Sequence, residues 1–408
     1  MTFLTKYHYR ILLFFGLLIL YYIINFLTSD QISGMSGAIQ AENNIYNQLM
    51  IGGIIVYMTV FAFFSVKNAR QLFFKVMVCF VLYLYLREWF AYYTSHESIM
   101  RQMNPFFSII YWCTAILFCI RNFGYEKLSK IRTLIKILII VYLLFVAYRL
   151  FTQRLILARV GIIAGINVAG SVYMIVPLIM LTFKKEKKVI LFLICAWLCI
   201  ASAKRQAVGG MAIVSLFCIK DLYDTFFKKN KLYGILAIVF LLGITYLNRN
   251  YVIHSFDRLK ERQETIEEHG GELDSGRGEL RRTAYMGFEE ANFSTKLFGG
   301  GTGTGTSYIN SYIGVSRAPH CGFIEVLCDY GLIGLFFFIG FFIALGFYGF
   351  QLSSWNLRLM WWAICCAFLF CNTISHPGNL NFLYLAIAIG YIYQLEKYEK
   401  AKQHIRNT

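Results

Sequence analysis

Charge is the scarce ingredient of this sequence. Only 15% of its 408 residues are Asp, Glu, Lys or Arg, while 58% are hydrophobic and 18% aromatic, and the mean hydropathy is +0.56. That balance excludes an ordinary soluble globular chain and reads as an integral membrane protein. Other shortages exclude particular chemistries. No pair of CxxC motifs occurs, so the eleven cysteines, mostly inside apolar runs (Cys79, Cys113, Cys195, Cys199, Cys365, Cys366), read as small core hydrophobes and not as zinc ligands. Neither HExxH nor GxSxG is present, and adjacent His320 and Cys321 point apart as chain neighbours do, which argues against a membrane protease. The glycine-rich "LFGGGTGTGT" has no GK[ST] after it and no strand before it, so it is not a nucleotide phosphate loop. A flexible, closely approaching loop is its simpler reading. No cluster of carboxylates or histidines stands at ligand spacing, so no metal and no other cofactor is called for.

What is present is a succession of apolar runs near the length that crosses a bilayer. They fall near 9–27, 48–66, 71–91, 104–120, 133–150, 161–183, 189–203, 206–219, 232–248, 332–350, 357–374 and 380–394. The expected fold is therefore an all-α integral membrane protein of about twelve transmembrane helices. The first run has a basic start like a secretion signal, but its length and the lack of a small-residue cleavage site after it favour a retained span. The net charge of +17 does not point to nucleic acid, because the Lys and Arg sit mostly in short gaps between spans. "KNAR", "RNFGYEKLSKIR", "KKEKK", "KDLYDTFFKKNK" and the tail "KYEKAKQHIR" alternate with the Lys-free gap 28–47 and with "HPGN". This pattern orients the basic loops and both termini toward the cytoplasm. Arg154, Arg159, Lys204 and Arg205 fall on the other side, against the rule, and invite a functional reading.

The same count divides the chain into spans one to nine (1–248), a long outer-face loop (249–331) and spans ten to twelve with a cytoplasmic tail (332–408). Long loops in compact proteins are usually functional or disordered. Here "SFDRLKERQETIEEHGGELDSGRGELRRTAYMGFEEA" carries mixed charge at helical spacing, with Leu259, Ile266, Leu280, Tyr285 and Phe288 available for burial and a break at "HGGELDSGRG". Two short amphipathic helices over the outer face are expected. Directly before the tenth span, "HCGFIEVLCDYGLIGL" sets His320, Glu325 and Asp329 at the membrane mouth. By default such an interfacial His is an anchor or a satisfied polar group, and Arg277 is a solvated residue or a partner of Glu272 or Asp274. Arg87 and Glu88, at the end of span three, read as an internal pair or as an anion contact.

Three pieces in order, "SAKRQAVGG" between two spans, "DSGRGELRRTAY" with "LFGGGTG" in the long loop, and "HCGFIEVLCDYGLIGL", resemble the O-antigen ligase and polymerase family. The family pattern maps onto Arg205, onto Gly276 with Arg277, onto Gly299 through Gly301, and onto His320 with Phe323, Asp329 and Gly331. Lys204 stands where the family has Ser, Cys321 where it has Asn, and Tyr285 in place of a Trp.

The resemblance implies a donor glycan on undecaprenyl diphosphate, with the membrane lipid around it, and a chain-length regulator and flippase could work alongside. Physical chemistry is compatible with that donor. A lipid diphosphate needs fixed cations at the outer ends of spans, and the planar guanidinium donates two bonds to phosphate and stays charged. Arg205 and Arg277 fit that role, stabilising charge on the leaving diphosphate, with Lys204, Arg87 and Arg281 as further anion contacts. Neutral His320 fits a base that takes the proton of an acceptor hydroxyl. Glu325, five positions on, could orient it; Asp329, nine positions on, could instead cap or pair elsewhere. Tyr308 could stack on a sugar. The expected function is a metal-independent polysaccharide polymerase in the cytoplasmic (inner) membrane with its site facing outward. A ligase that loads a surface lipid or protein stays open, as does a non-enzymatic transporter, although the two halves show no internal repeat.

Overall fold

In a computed structural model of the protein, the residues described are 3–27, 45–63, 71–95, 99–160, 168–202, 204–226, 239, 243, 246, 277–374 and 382–407. Every regular element among them is a helix. In chain order these are α1 (Phe3–Leu27), α2 (Ile45–Phe63), α3 (Leu72–Ser95), α4 (Ile99–Asn122), α5 (Leu128–Val160), a 3₁₀ segment (Val168–Ile175) leading into α6 (Val176–Thr182), α7 (Lys185–Ala201) and α8 (Arg205–Phe226). After residues outside the description come α9 (Arg277–Glu290), α10 (Phe293–Phe298), α11 (Thr304–Ile313), α12 (Gly322–Phe350), α13 (Trp355–Ile374) and α14 (Phe382–Asn407).

Four stretches, Tyr125–Thr152, Gln206–Asp224, Gly322–Phe350 and Trp355–Ile374, are long and apolar enough to cross a membrane. Shorter apolar helices run over Tyr9–Ile24, Leu49–Phe63, Ile109–Asn122 and Ser171–Thr182. The chain is thus an all-helical, multi-pass membrane protein. Helix covers at least part of each expected run; of the ninth, 232–248, only residues 239, 243 and 246 are described, and these are helical.

Burial between the helices is dominated by aromatic rings. Trp112 of α4 is fully buried and meets Phe341 of α12, Phe368 of α13 and Phe382 of α14 at centroid distances of 6.1, 5.3 and 5.7 Å. Trp361 of α13 donates its Nε1–H to the Leu345 carbonyl at 2.8 Å, so its one polar atom is satisfied inside the bundle. Lipid tails offer no hydrophobic drive between helices, so close approach at small residues matters. At Gly390 of α14, a Cβ would sit 2.4 Å from the Cβ of Cys119 on α4.

Of the two amphipathic helices expected in the long loop, the second is α9 and the first lies outside the described residues. The glycine-rich stretch, expected to be a flexible loop, is itself partly helical. Asn292 caps α10 by accepting from the Thr295 N–H at 2.8 Å, and left-handed Gly303 and Gly314 bracket α11. On α9, Leu280, Ala284 and Phe288 recur every fourth residue and bury against Ile309, Leu327 and Cys328, the stripe an amphipathic helix needs. Tyr285, expected to be buried, is 44% exposed, since it lies off that stripe. Leu259 and Ile266 lie outside the described residues.

The loop is seated by backbone contact. Gly331 interrupts α12 with φ 67° and ψ −169°, and Gly299 ends α10 with φ 82° and ψ 173°, a region that only glycine occupies at low cost. A Cβ on Gly331 would fall 2.4 Å from the Gly299 nitrogen, and one on Gly299 would fall 2.2 Å from the Asp329 carbonyl oxygen. Gly331→Ala is therefore expected to destabilise the protein by about 1–3 kcal/mol, read as a lower thermal midpoint in detergent. Gly346→Ala, inside the same helix with its nearest neighbour at 3.9 Å, is expected to be neutral or slightly stabilising. Equal midpoints for the two variants would show that the contact is not a structural constraint.

Candidate active site

The glycine loop is held by charged side chains on both its donors and its acceptors. Glu88 of α3 accepts from the Thr302 N–H at 3.0 Å and from the Thr302 hydroxyl, and that hydroxyl also pairs with the Tyr330 hydroxyl at 2.8 Å. Asp329 accepts from the N–H groups of Gly303 and Gly305, both at 3.1 Å. This caps the N-terminus of α11, where exposed N–H donors and the helix dipole favour a carboxylate. The carbonyls face the other way. Arg87 donates from Nε to Phe298 O at 2.9 Å and from Nη2 to Gly299 O at 2.6 Å, and Tyr83 bonds the Tyr330 carbonyl at 2.7 Å. The N–H donors of Thr302, Gly303 and Gly305 thus already serve the protein's own carboxylates. Those of Gly300 and Gly301 go to the carbonyls of Cys328 and Asp329 at 3.1 and 2.8 Å.

A second group gathers at the start of α9. Arg277 donates from Nη1 to the carbonyl of Ile374, the last residue of α13, at 3.2 Å. One turn on, Arg281 donates from Nη2 to the carbonyl of His320 at 3.2 Å. His320 is the one non-glycine residue with positive φ, 54°, among the described residues. That conformation costs roughly 1–2 kcal/mol for a residue with a Cβ, and such strain persists where its surroundings hold it. Here Arg281 secures its carbonyl, while Pro319 before it is buried. α12 begins two residues later at Gly322, which abuts Asn372 of α13 so closely that a Cβ would lie 2.6 Å from its Oδ1.

Lys204 lies in the turn between α7 and α8, with its N–H 3.3 Å from the Ser202 hydroxyl. Burial, and then the positive charge of Arg277, lower its pKa from the usual lysine value to about 8. Two cations are thus set against each other at the end of the bundle that carries His320.

Lys204, Arg277, Arg281 and His320 thus belong to one end of the molecule, although they come from three separate stretches of sequence. Arg205 opens α8, but its side chain lies outside the described residues. Arg87 and Asp329 engage the glycine loop. Glu325 is buried in the first turn of α12 and its N–H bonds the Cys321 carbonyl at 2.9 Å. Tyr308 of α11 is half-buried with its ring against Gly287, where a Cβ would fall 2.4 Å away. The partners Thr302, Tyr330 and Tyr83 were not singled out in the sequence; an acid at position 88 in an apolar run was the only local hint that a polar network lay there. Among the described residues no three His, Cys, Asp or Glu side chains come together in a way that could hold a metal ion.

These features define a class: a helical membrane protein whose long inter-span loop folds over one end of the bundle and brings basic side chains and a strained histidine together there. Residues 190–339 match the family model described as O-antigen ligase. That segment takes in Lys204, Arg277, Arg281 and His320 and is what the chain shares with the O-antigen ligase family. No curated protein matched the chain.

The Lys204 shift has a direction that can be measured. Its pKa in the folded protein, about 8, is below the unfolded lysine value of about 10.4. Between those values the unfolded chain binds more protons, so this residue makes the fold more stable as pH rises through that window. Anion binding moves the opposite way, since the ammonium is lost above about pH 8. Affinity for inorganic diphosphate, followed by isothermal titration of the purified protein from pH 7 to 9.5, is expected to fall through that pH. In Lys204→Arg the profile is expected to be flat, because a guanidinium stays charged; a wild-type profile equally flat would remove Lys204 from the site.

Proposed function

We propose that this protein is a polysaccharide polymerase of the inner membrane, with about twelve spans and its site on the outer face. It moves a growing glycan from undecaprenyl diphosphate to a sugar hydroxyl of the next lipid-linked repeat unit. The observation that carries the reading is the convergence of Arg277 on the end of α13 and of Arg281 on the carbonyl of His320, with Lys204 near enough to feel the Arg277 charge. A glycosyl diphosphate needs both of these: fixed positive charge for the departing group and a base for the incoming one.

In the proposed step the acceptor oxygen attacks C1 of the donor sugar as the bond from C1 to the phosphate oxygen breaks. The acceptor proton passes to the neutral imidazole of His320, and the bonding pair leaves with undecaprenyl diphosphate. Arg277, Arg205 and Lys204 stabilise the charge that grows on that diphosphate, which is electrostatic catalysis directed at a leaving group. Arg281 acts one step removed, by keeping the His320 backbone in its left-handed conformation. No metal is required by this scheme. One displacement inverts the anomeric centre, so the linkage formed between repeat units is expected to have the opposite configuration from the donor's linkage to diphosphate. Identical configurations, established by NMR of the donor and the polymer, would show that a single displacement is wrong.

The main test is the size of lipid-linked and surface glycan in a strain lacking the gene, complemented with wild type, His320→Ala or Arg277→Ala. The null strain and both variants are expected to export single repeat units and no ladder at normal protein level, because loss of base or anion stabilisation costs about 10² to 10⁴ in rate. Long chains held on undecaprenyl diphosphate would instead identify a ligase. Repeat units trapped inside the cell would replace the enzyme with a transporter.

A further inference from the structure

α10 is a helix of six residues, FSTKLF, and it leaves both of its phenylalanines uncovered. Phe293 is 78% exposed and Phe298 is 45% exposed. Its backbone is nevertheless tightly seated. The Phe298 carbonyl accepts from Arg87 Nε at 2.9 Å and from the Tyr83 hydroxyl at 3.0 Å, both on α3. On the other side, the Leu297 carbonyl oxygen lies 2.5 Å from where a Cβ on Gly331 of α12 would be. α10 is thus wedged between α3 and α12 with two rings turned away from the protein.

The burial pattern of those two helices says what lies outside the rings. On α12 every residue from Gly322 to Gly331 is covered at least in part, and the exposed residues are Leu332, Phe336, Ile339, Ile343, Phe347 and Phe350. All six are apolar and recur every three or four positions, so they form one stripe, and on a helix long and apolar enough to cross a membrane that stripe faces lipid. From Gly331 to Phe350 the helix rises about 29 Å, close to the roughly 30 Å of a hydrocarbon core. On α3 the exposed apolar residues run from Leu72 through Leu82 and Leu86 to Phe90, a rise of about 27 Å. Both stripes therefore end where Leu297 meets Gly331 and where Arg87 meets Phe298. Two phenylalanine rings left in water at that level would be an apolar patch without a purpose, whereas in a bilayer they continue the lipid-facing surface of both helices.

We infer that α10 is an interfacial anchor: Phe293 and Phe298 enter the boundary between headgroups and acyl chains of one leaflet, and Lys296, the one charged residue of α10, extends to the headgroup phosphates. The partner is phospholipid, because the patch is continuous with the surface that the spans already present to lipid. The anchor sets a depth. Gly299 ends α10 and opens the glycine loop, and further along that loop a Cβ on Gly305 would lie 3.1 Å from Cγ of Pro319, the residue before His320. The loop and His320 are therefore held at the level of the headgroups, where the phosphates of a lipid-linked diphosphate lie. The anchor itself stands without the glycan-transfer reading.

The test places the photo-crosslinker p-benzoylphenylalanine at Phe293, Phe298, Phe336 or Arg282 of the full chain, in nanodiscs of equal parts phosphatidylethanolamine and phosphatidylglycerol. Phe336, 71% exposed within the stripe of α12, marks lipid, and Arg282, on the exposed side of α9, marks water. After irradiation, lipid adducts on each labelled peptide are counted by mass spectrometry. Adducts at 293 and 298 are expected within about threefold of those at 336 and at least about tenfold above those at 282. Thermal midpoints equal to wild type show that the labelled proteins are folded. Adducts at either phenylalanine no more frequent than at 282, or crosslinks that join two protein chains in place of lipid, overturn the anchor. No glycan enters the measurement, so its failure is distinct from failure of the transfer reading.

Discussion

Most of the architecture around the candidate site depends on one contact between two backbones, where the end of α10 at Gly299 meets the interruption of α12 at Gly331. Neither residue has a Cβ, and each occupies a conformation that only glycine adopts at low cost. The approach allows Gly300 and Gly301 to bond the carbonyls of Cys328 and Asp329, groups that a continuous helix would have used internally. A helix broken at membrane depth is tolerated where other protein groups take up the freed backbone, and here the glycine loop does so. With that seat made, α11 follows with its N-terminus against Asp329, and α9 packs over both through Leu280, Ala284 and Phe288.

The charged residues of this region then separate into two populations by what surrounds them. Glu88, Asp329 and Arg87 are turned inward onto loop amides and carbonyls, where a charge-assisted hydrogen bond is worth more than in water. They fix the loop. Lys204 lies close enough to Arg277 for the guanidinium to add to burial in lowering its pKa, while Arg277 itself reaches the carbonyl of Ile374. Both populations contain basic residues, and composition alone does not distinguish them. Their different partners do.

His320 links the two. It follows the end of the loop, two residues before α12 begins, and its backbone is held in a left-handed conformation by a guanidinium from α9. A side chain projected from such a position is aimed by the loop and by α9 together, so a disturbance of either is transmitted to the imidazole.

Hydropathy is written locally, and for that reason the all-helical membrane class, the position of most helices and the family resemblance were readable from residues in order. The amphipathic stripe of α9 was readable too, except that Tyr285 was assigned to burial and stands exposed. Helix in the glycine-rich stretch was missed, since Gly and Thr argue against helix until Asp329 supplies the cap at α11. Arg87 shows most plainly what only the tertiary structure decided: its partner at Gly299 lies 212 positions away, and no local pattern says whether an arginine at a membrane interface will meet a ligand, a lipid or a carbonyl. Periodicity and hydropathy depend on a residue and its near neighbours and so survive in one dimension, whereas the partner of a charge depends on which distant backbone the packing brings within 3 Å, and that is set only when the whole bundle closes.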